Sequence, residues 1–220
     1  MIIAGIEGNS FSGKSELARG LLSHGYYTVN ESSYYVESFP PPAYDLDSAI
    51  KNLDFFAQVE KRRSDDALKI LQEGKNVVMD RTLWTYILYE YVLLRRFPEK
   101  PNAYQHSLDL FERLSEDGDI VVPKILLCLT SGSDSVLKQR ILQRRASSIE
   151  FLNEWETTEV IDSALGKILG VYGPQNAIRI VNSGSSSDLI VSGVNFLNRT
   201  PADDIEIKEV FEALRGIVNN

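Results

Sequence analysis

Five short apolar runs, none of them alternating with polar residues, most constrain what this chain can become. They are Ile2 to Ile6, Tyr26 to Val29, Asn76 to Asp80, Lys124 to Thr130 and Ala177 to Asn182. A strand that faces water on one side alternates apolar with polar residues, whereas a continuous run signals burial on both faces. Between and after the runs lie segments of helical character: Ser12 to Leu22, Asp47 to Glu73, Thr82 to Phe97, Ala103 to Ser115, Ser133 to Ala146, Ile149 to Leu169, Leu189 to Leu197 and Asp203 to Val218. This alternation predicts an α/β fold, a parallel sheet with helices on both faces. Asp47 is placed to cap the second helix, Gly74 to end it, and Pro98 to stop the third. Residues 32–46 (SSYYVESFPPPAYDL) hold three consecutive prolines and no sustained period, so they read as a loop long enough to be functional. With no linker, repeat or low-complexity stretch, residues 1–220 read as one domain.

Composition narrows the function classes. A chain of 220 residues removes roughly 70–75% of its unfolded surface from water and needs neither disulfide nor metal to build a core. Its 31 acidic against 23 basic residues, a net charge of −8, argue against binding a nucleic acid polymer or an anionic membrane. The single cysteine, Cys128, excludes an internal disulfide and a cysteine zinc site, and lies in an apolar run as an inert buried thiol. His24 and His106 are too few for a histidine metal centre. The opening apolar run stops at Glu7, which predicts neither signal peptide nor membrane span and points to a cytoplasmic protein.

The chemistry concentrates in Gly8-Asn9-Ser10-Phe11-Ser12-Gly13-Lys14-Ser15, a complete G-x-x-x-x-G-K-[ST] motif between the first strand and the first helix. Glycines let the backbone curl so that successive N–H groups face phosphate oxygens, and the helix N-terminus adds positive charge. Lys14 then reaches the β- and γ-phosphates and the Ser15 hydroxyl is suited to Mg²⁺.

Ligands of open parallel sheets sit beyond the carboxyl ends of the strands. Those ends carry Glu7-Gly8, Asn30-Glu31, Asp80-Arg81, Thr130-Ser131 and Asn182-Ser183. Asp80, an acid after an apolar run, suits Mg²⁺ held through water, or a helix cap. Glu31 could take a proton from a substrate hydroxyl, or cap the turn that follows. Arg140 and Arg144, four apart on one helix face with Arg145 beside them, suit a lid that brings positive charge over a transferring phosphoryl group, or pair with a helix C-terminus. Gln58, near Phe55, Phe56, Arg62 and Arg63, offers a donor and an acceptor that match a nucleobase edge, or is a surface glutamine. Tyr34 and Tyr35 could wall a substrate cleft or simply pack.

Together these pieces resemble the deoxynucleoside kinase and thymidylate kinase superfamily of P-loop kinases. Ile6-Glu7-Gly8-Asn9 resembles the family's I-E-G-N opening, and Glu31 matches its general base. Gln58 falls where nucleoside kinases keep a base-reading glutamine. GKNVVMDRT, Gly74 to Thr82, is similar to the family's strand ending in an acid and arginine. Pro123 to Leu129 resembles its P-x-L strand, Arg140 with Arg144-Arg145 its lid, and Asn182 to Ser187 the turn that holds adenine.

The resemblance implies a five-stranded sheet in the order 2-3-1-4-5, a lid around 133–150 and a C-terminal helix over 203–218. It also implies Mg²⁺ at Ser15 and Asp80 and ATP as phosphoryl donor on Gly8 to Ser15. Lys14, Glu31, Arg81, Arg140 and Arg144 would be the catalytic set, with Gln58 and Arg81 on a small-molecule acceptor; a homodimer is compatible with it. Thymidylate kinases carry an arginine immediately before the acid to seat the acceptor's phosphate. Here Asn30 stands there and Ser32-Ser33 follow, which favours a bare hydroxyl, as in a nucleoside. The alternatives are a nucleoside monophosphate kinase and, from another class, a nucleotide-binding switch or regulatory ATPase. No N-K-x-D guanine motif appears.

Overall fold

The first strand, β1 (Ile3–Gly8), is hydrogen-bonded on both sides, and the whole sheet is arranged around it. The computed structural model describes residues 1–144, 154–183, 185–199 and 204–219. The other strands are β2 (Tyr26–Val29), β3 (Asn76–Asp80), β4 (Ile125–Ser131) and β5 (Ala177–Asn182), all parallel, in the order β2-β3-β1-β4-β5. The order is the one the resemblance implies, and strand limits agree with the apolar runs to within two residues.

Helices cover both faces because neighbouring residues on a strand point opposite ways. Ile125, Leu127 and Leu129 of β4 pack with α1 (Lys14–Leu22) and α7 (Ser186–Leu197) through Leu17, Leu21, Leu189 and Phe196. Leu126 and Cys128 face the larger core instead. That core is built by α2 (Leu46–Gln72), α3 (Leu83–Arg96), α4 (Tyr104–Glu116), α6 (Trp155–Asn176) and α8 (Ile207–Gly216). Fully burying each such leucine, isoleucine or phenylalanine contributes about 1.5–3 kcal/mol. A further helix, α5 (Asp134–Arg144), follows β4.

Several boundaries correct the sequence reading. The first helix starts at Lys14, not Ser12, because Gly13 is left-handed at φ 100. Asp45, not Asp47, caps α2: its carboxylate accepts from the Ser48 N–H at 2.8 Å, and the Ser48 hydroxyl takes the Asp45 N–H at 3.0 Å. That reciprocal box satisfies two donors, which a cap at Asp47 would leave open. α6 runs past Leu169 to Asn176, broken at Gly173 (φ 70, ψ 169) just before Pro174. α7 begins at Ser186, capped by Ser185. The start of the expected 149–169 helix, the end of the expected lid, the start of the 203–218 helix and Gly184 lie outside the described residues. Residues 32–45 form a loop with one short 3₁₀ turn at Ser32–Tyr34, one residue shorter than expected because α2 already begins at Leu46; Asn52 donates to the Pro41 carbonyl at 3.0 Å, and the Phe39 ring meets Phe56 at 5.9 Å.

Gly8 shows how tightly the sheet and the following loop are tied. It pairs with Leu129 at φ 140, and a Cβ there would lie 2.0 Å from the Leu129 carbonyl oxygen. Gly8→Ala therefore combines a left-handed-side backbone with a backbone clash. Its expected cost is about 2–4 kcal/mol. Urea denaturation checks this: the midpoint should fall with the slope unchanged.

Candidate functional site

Leaving β1, the chain turns through residues of which Asn9, Ser12 and Lys14 are buried. Phe11 is left-handed at φ 59, and a Cβ on Gly13 would lie 2.3 Å from Asn182 Nδ2. Lys14, buried at the first turn of α1, donates from Nζ to the carbonyls of Gly8 (2.9 Å) and Asn9 (2.5 Å). Burial, then the positive charge of Arg81, pull its pKa down to about 7; Asp80, Glu7 and Glu31 act in the opposite direction. The groups felt by this one ammonium are thus drawn from the ends of β1, β2 and β3.

Asp80 stands level with Ile6 in the β1–β3 register, buried, and its Oδ1 has no hydrogen-bond partner among the described residues. Both polar side-chain atoms of buried Asn9 are in the same condition. Buried polar atoms are normally paired, so such orphans at one edge fit a polar ligand. Among the described residues no three His, Cys, Asp or Glu side chains converge on a metal position. Asp80, through its Oδ1, unpartnered among the described residues, and Ser15 offer the oxygen ligands that a hard cation such as Mg²⁺ takes.

Glu31 and Arg81 meet directly: Arg81 Nε donates to Glu31 Oε2 at 3.1 Å, and Ser33 donates to Glu31 Oε1 at 3.1 Å. The pair is partly exposed, 27% for the Arg81 side chain and 35% for Glu31, and so open to a ligand. Beneath it lies a buried polar layer. Glu7 accepts from the Thr82 N–H (2.7 Å), the Thr82 hydroxyl (2.6 Å) and the Thr85 hydroxyl (2.9 Å). Arg63 donates to Glu60 and to three carbonyls at the ends of β2 and β3. Ser32 and the Tyr86 hydroxyl share a 2.5 Å hydrogen bond, and the Tyr86 ring stacks on Phe56 with centroids 5.0 Å apart.

At the other end of the edge, Arg140 donates to the carbonyls of Phe11 (3.0 Å) and Asn182 (3.2 Å), while Asn182 Nδ2 donates to the Ser12 carbonyl (2.8 Å). These bonds tie α5 and β5 to the loop. Thr130 donates to Asp162 at 2.6 Å.

The structure therefore brings together Gly8 to Ser15, Glu31, Asp80, Arg81 and Arg140. Arg144 is the last residue of α5, and Arg145 lies outside the described residues. Gln58 is not at this edge. The buried stripe of α2 is Ala49, Leu53, Glu60, Arg63 and Ala67, and at 100° per residue Gln58 lies on the opposite, exposed side. Tyr34 is exposed, and Tyr35 donates to Asp66 at 2.7 Å. Burial pushes the Cys128 thiol upward, in keeping with an inert group. Sequence reasoning gave no role to Glu60 or Tyr86, placed Glu7 only at the strand-end edge, and considered Arg63 only with Arg62 as a substitute for the arginine missing at Asn30. For Glu60 and Arg63 the available signal was a charged pair at i, i+3 on the apolar stripe of a helix.

No family model and no curated protein sequence matches the chain. Solved structures do. Deoxyadenosine kinase from M. mycoides with bound dATP is 18% identical over 90% of this chain and 100% of its own, with a TM-score of 0.63. Thymidylate kinase from Candida albicans is 14% identical over 93% and 96%, at a TM-score of 0.60. Thymidylate kinase from Ehrlichia chaffeensis is 13% identical over 90% and 98%, at 0.58. At such identities the likeness speaks for the fold, which is that of P-loop kinases. No helix among the described residues is long and apolar enough to cross a membrane.

Glu7 is fully buried, and burial raises its pKa above the ordinary 4.5 against the three donors. A carboxyl raised on folding is bound to its proton more tightly in the folded state. Its contribution is present below 4.5 and is lost as pH rises toward the folded value. Glu7→Gln keeps the shape without the titration, so its stability relative to wild type should improve from pH 4.5 upward. Glu7→Ala should instead cost about 3 kcal/mol, because it orphans buried donors. Urea melts of the three proteins across that range provide the test.

Proposed function

We propose that this chain is a Mg²⁺–ATP-dependent phosphotransferase acting on the hydroxyl of a nucleoside-like small molecule. The observation that carries the reading is the Glu31–Arg81 pair beside the phosphate-binding loop. A nucleotide-binding switch uses the loop, Lys14 and Asp80, but has no need of a carboxylate and an arginine on the acceptor side. The nucleoside and nucleotide kinases that share the fold support a small-molecule acceptor.

The loop and the N-terminus of α1 offer N–H groups to the phosphates. Lys14 exchanges the carbonyls of Gly8 and Asn9 for β- and γ-phosphate oxygens. Ser15 and Asp80 would hold Mg²⁺, which would supply positive charge to the phosphates. Glu31 accepts the hydroxyl proton as the acceptor oxygen bonds to the γ-phosphorus. The bond from that phosphorus to the β–γ bridging oxygen breaks, and its electron pair leaves with ADP. Arg81, and Arg140 and Arg144 from α5, supply positive charge for the phosphoryl group in transit. The second reading, a monophosphate acceptor, is favoured by Arg81 itself, which could seat the acceptor's phosphate.

Two predictions follow from Lys14 and Glu31. A triphosphate favours the charged ammonium, so a Lys14 poised at about 7 takes up a proton on binding nucleotide. Isothermal calorimetry at pH 8 in buffers of different ionisation enthalpy should give most of one proton taken up per nucleotide. The uptake should shrink toward pH 6, and affinity should fall as pH rises above 7. Glu31→Gln, assayed by ADP release, should lower kcat about 10²–10⁴-fold with deoxyadenosine. It should have little effect with thymidine monophosphate, whose phosphate needs no base. A wild-type enzyme that ignores nucleosides and turns over the monophosphate moves the acceptor to the second reading. Transfer to neither removes the kinase assignment.

A further inference from the structure

We infer that Arg63 is a positioning residue for phosphoryl transfer, holding Glu31 and Arg81 in their working relation by gripping the backbone on which each stands. The inference rests on the functional reading above.

Arg63 and Glu60 both have fully buried side chains, at 0% exposure, an uncommon state for either residue type. Arg63 Nη1 donates to Glu60 at 2.5 Å, which compensates its charge. Beyond Glu60 and a contact with the Tyr86 hydroxyl, it donates to three main-chain oxygens: Nε to Asn30 (2.9 Å), Nη2 to Asp80 (2.9 Å) and to Arg81 (2.7 Å). These carbonyls are not arbitrary. The β2–β3 ladder ends at the pair Val29 and Met79, so Asn30, Glu31, Asp80 and Arg81 lie beyond its last register pair. Arg63 spans the two strands one residue further on, where the sheet no longer does. The planar fork suits the task, since it fixes three oxygens at set angles, which a single ammonium cannot.

The held geometry is also an unfavourable one. Arg81 has φ 66, a conformation uncommon for a residue with a side chain, at a cost of about 1–3 kcal/mol unless its surroundings impose it. Here they do: its N–H is taken by the Ile6 carbonyl (3.0 Å), its own carbonyl by Arg63, and the next N–H by Glu7. That backbone directs the Arg81 side chain to Glu31. A buried ion pair is often no more stabilising than a well-packed apolar pair, so stability alone does not account for it.

The test is a double-mutant cycle of Arg63→Lys with Glu31→Gln in the full chain, using Mg²⁺–ATP and deoxyadenosine, deoxycytidine and thymidine as acceptors. Arg63→Lys should lower kcat about 10²-fold, the usual cost of misplacing a reacting group by an ångström, with KM for ATP nearly unchanged. In the Glu31→Gln background the same change should cost clearly less, about 10-fold or below, because one of the two groups it positions is already disabled. Equal losses in both backgrounds, a wild-type kcat, or a loss confined to KM for ATP would each overturn the inference while leaving Glu31 as base. Full activity of Glu31→Gln, or no transfer to any nucleoside by wild type, overturns the functional reading and takes this inference with it. Arg63→Gln serves as second variant if lysine does not fold; if neither gives a cooperative thermal transition, Arg63 is structural and the inference falls.

Discussion

Everything at the candidate site depends on one strand being able to sit flush between two others. β1 is paired to β3 on one side and β4 on the other, and it is the only route by which the loop Gly8 to Ser15 reaches the carboxyl edge among the described residues. Close approach is obtained by leaving side chains out. At Gly5 a Cβ would come within 2.6 Å of Thr82 and 2.9 Å of Leu126, and at Gly8 it would strike the Leu129 carbonyl. The same closeness puts Glu7 within reach of Thr82 and Thr85, so the strand that shapes the loop also fixes the turn after β3. Loop and acid-arginine turn are one construction.

Charge is handled in two layers. The upper one sets the buried Lys14 and Asp80 beside the partly exposed Glu31 and Arg81, and Lys14 feels the charge of the other three. The lower one, Glu7, Glu60 and Arg63, is closed from water and spends its hydrogen-bonding capacity largely on backbone and hydroxyl groups. A closed layer under an open one is a sound way to aim flexible side chains, because the backbone carrying them cannot relax when a ligand arrives.

Much of this was legible in the sequence, and what was not has physical reasons. Continuous apolar runs located all five strands. Burial on both faces dictates that composition in β1, β3 and β4, while the edge strands β2 and β5 keep it although Tyr27 and Val181 are exposed. The loop was legible because phosphate demands glycines, a lysine and a hydroxyl at fixed spacing. The strand order was not readable from the runs themselves and came only with the family resemblance. Gln58 stands on the exposed side of α2, a position that its chemistry alone, without its angle around the helix, does not reveal. The burial of Glu60 and Arg63 was not legible, since it depends on oxygens supplied by Asn30, Asp80 and Arg81, distant in sequence. The cap at Asp45 was missed by two residues for a local reason: either aspartate fits the composition, and only the Ser48 exchange chooses between them.

The register of β1 also says when the site comes into being. Ile3 meets Val77, and Ala4 meets Ile125, so the first strand synthesised waits for partners made much later. Long-range parallel pairings close slowly, since loop entropy is lost before contacts compensate it. A nascent chain carries a complete glycine-lysine motif from its fifteenth residue, yet the motif has no fixed shape until β4 is available to receive Gly8. A fixed shape for the loop is thus a late event in the chain's own assembly, one that waits for the strand ending at Ser131.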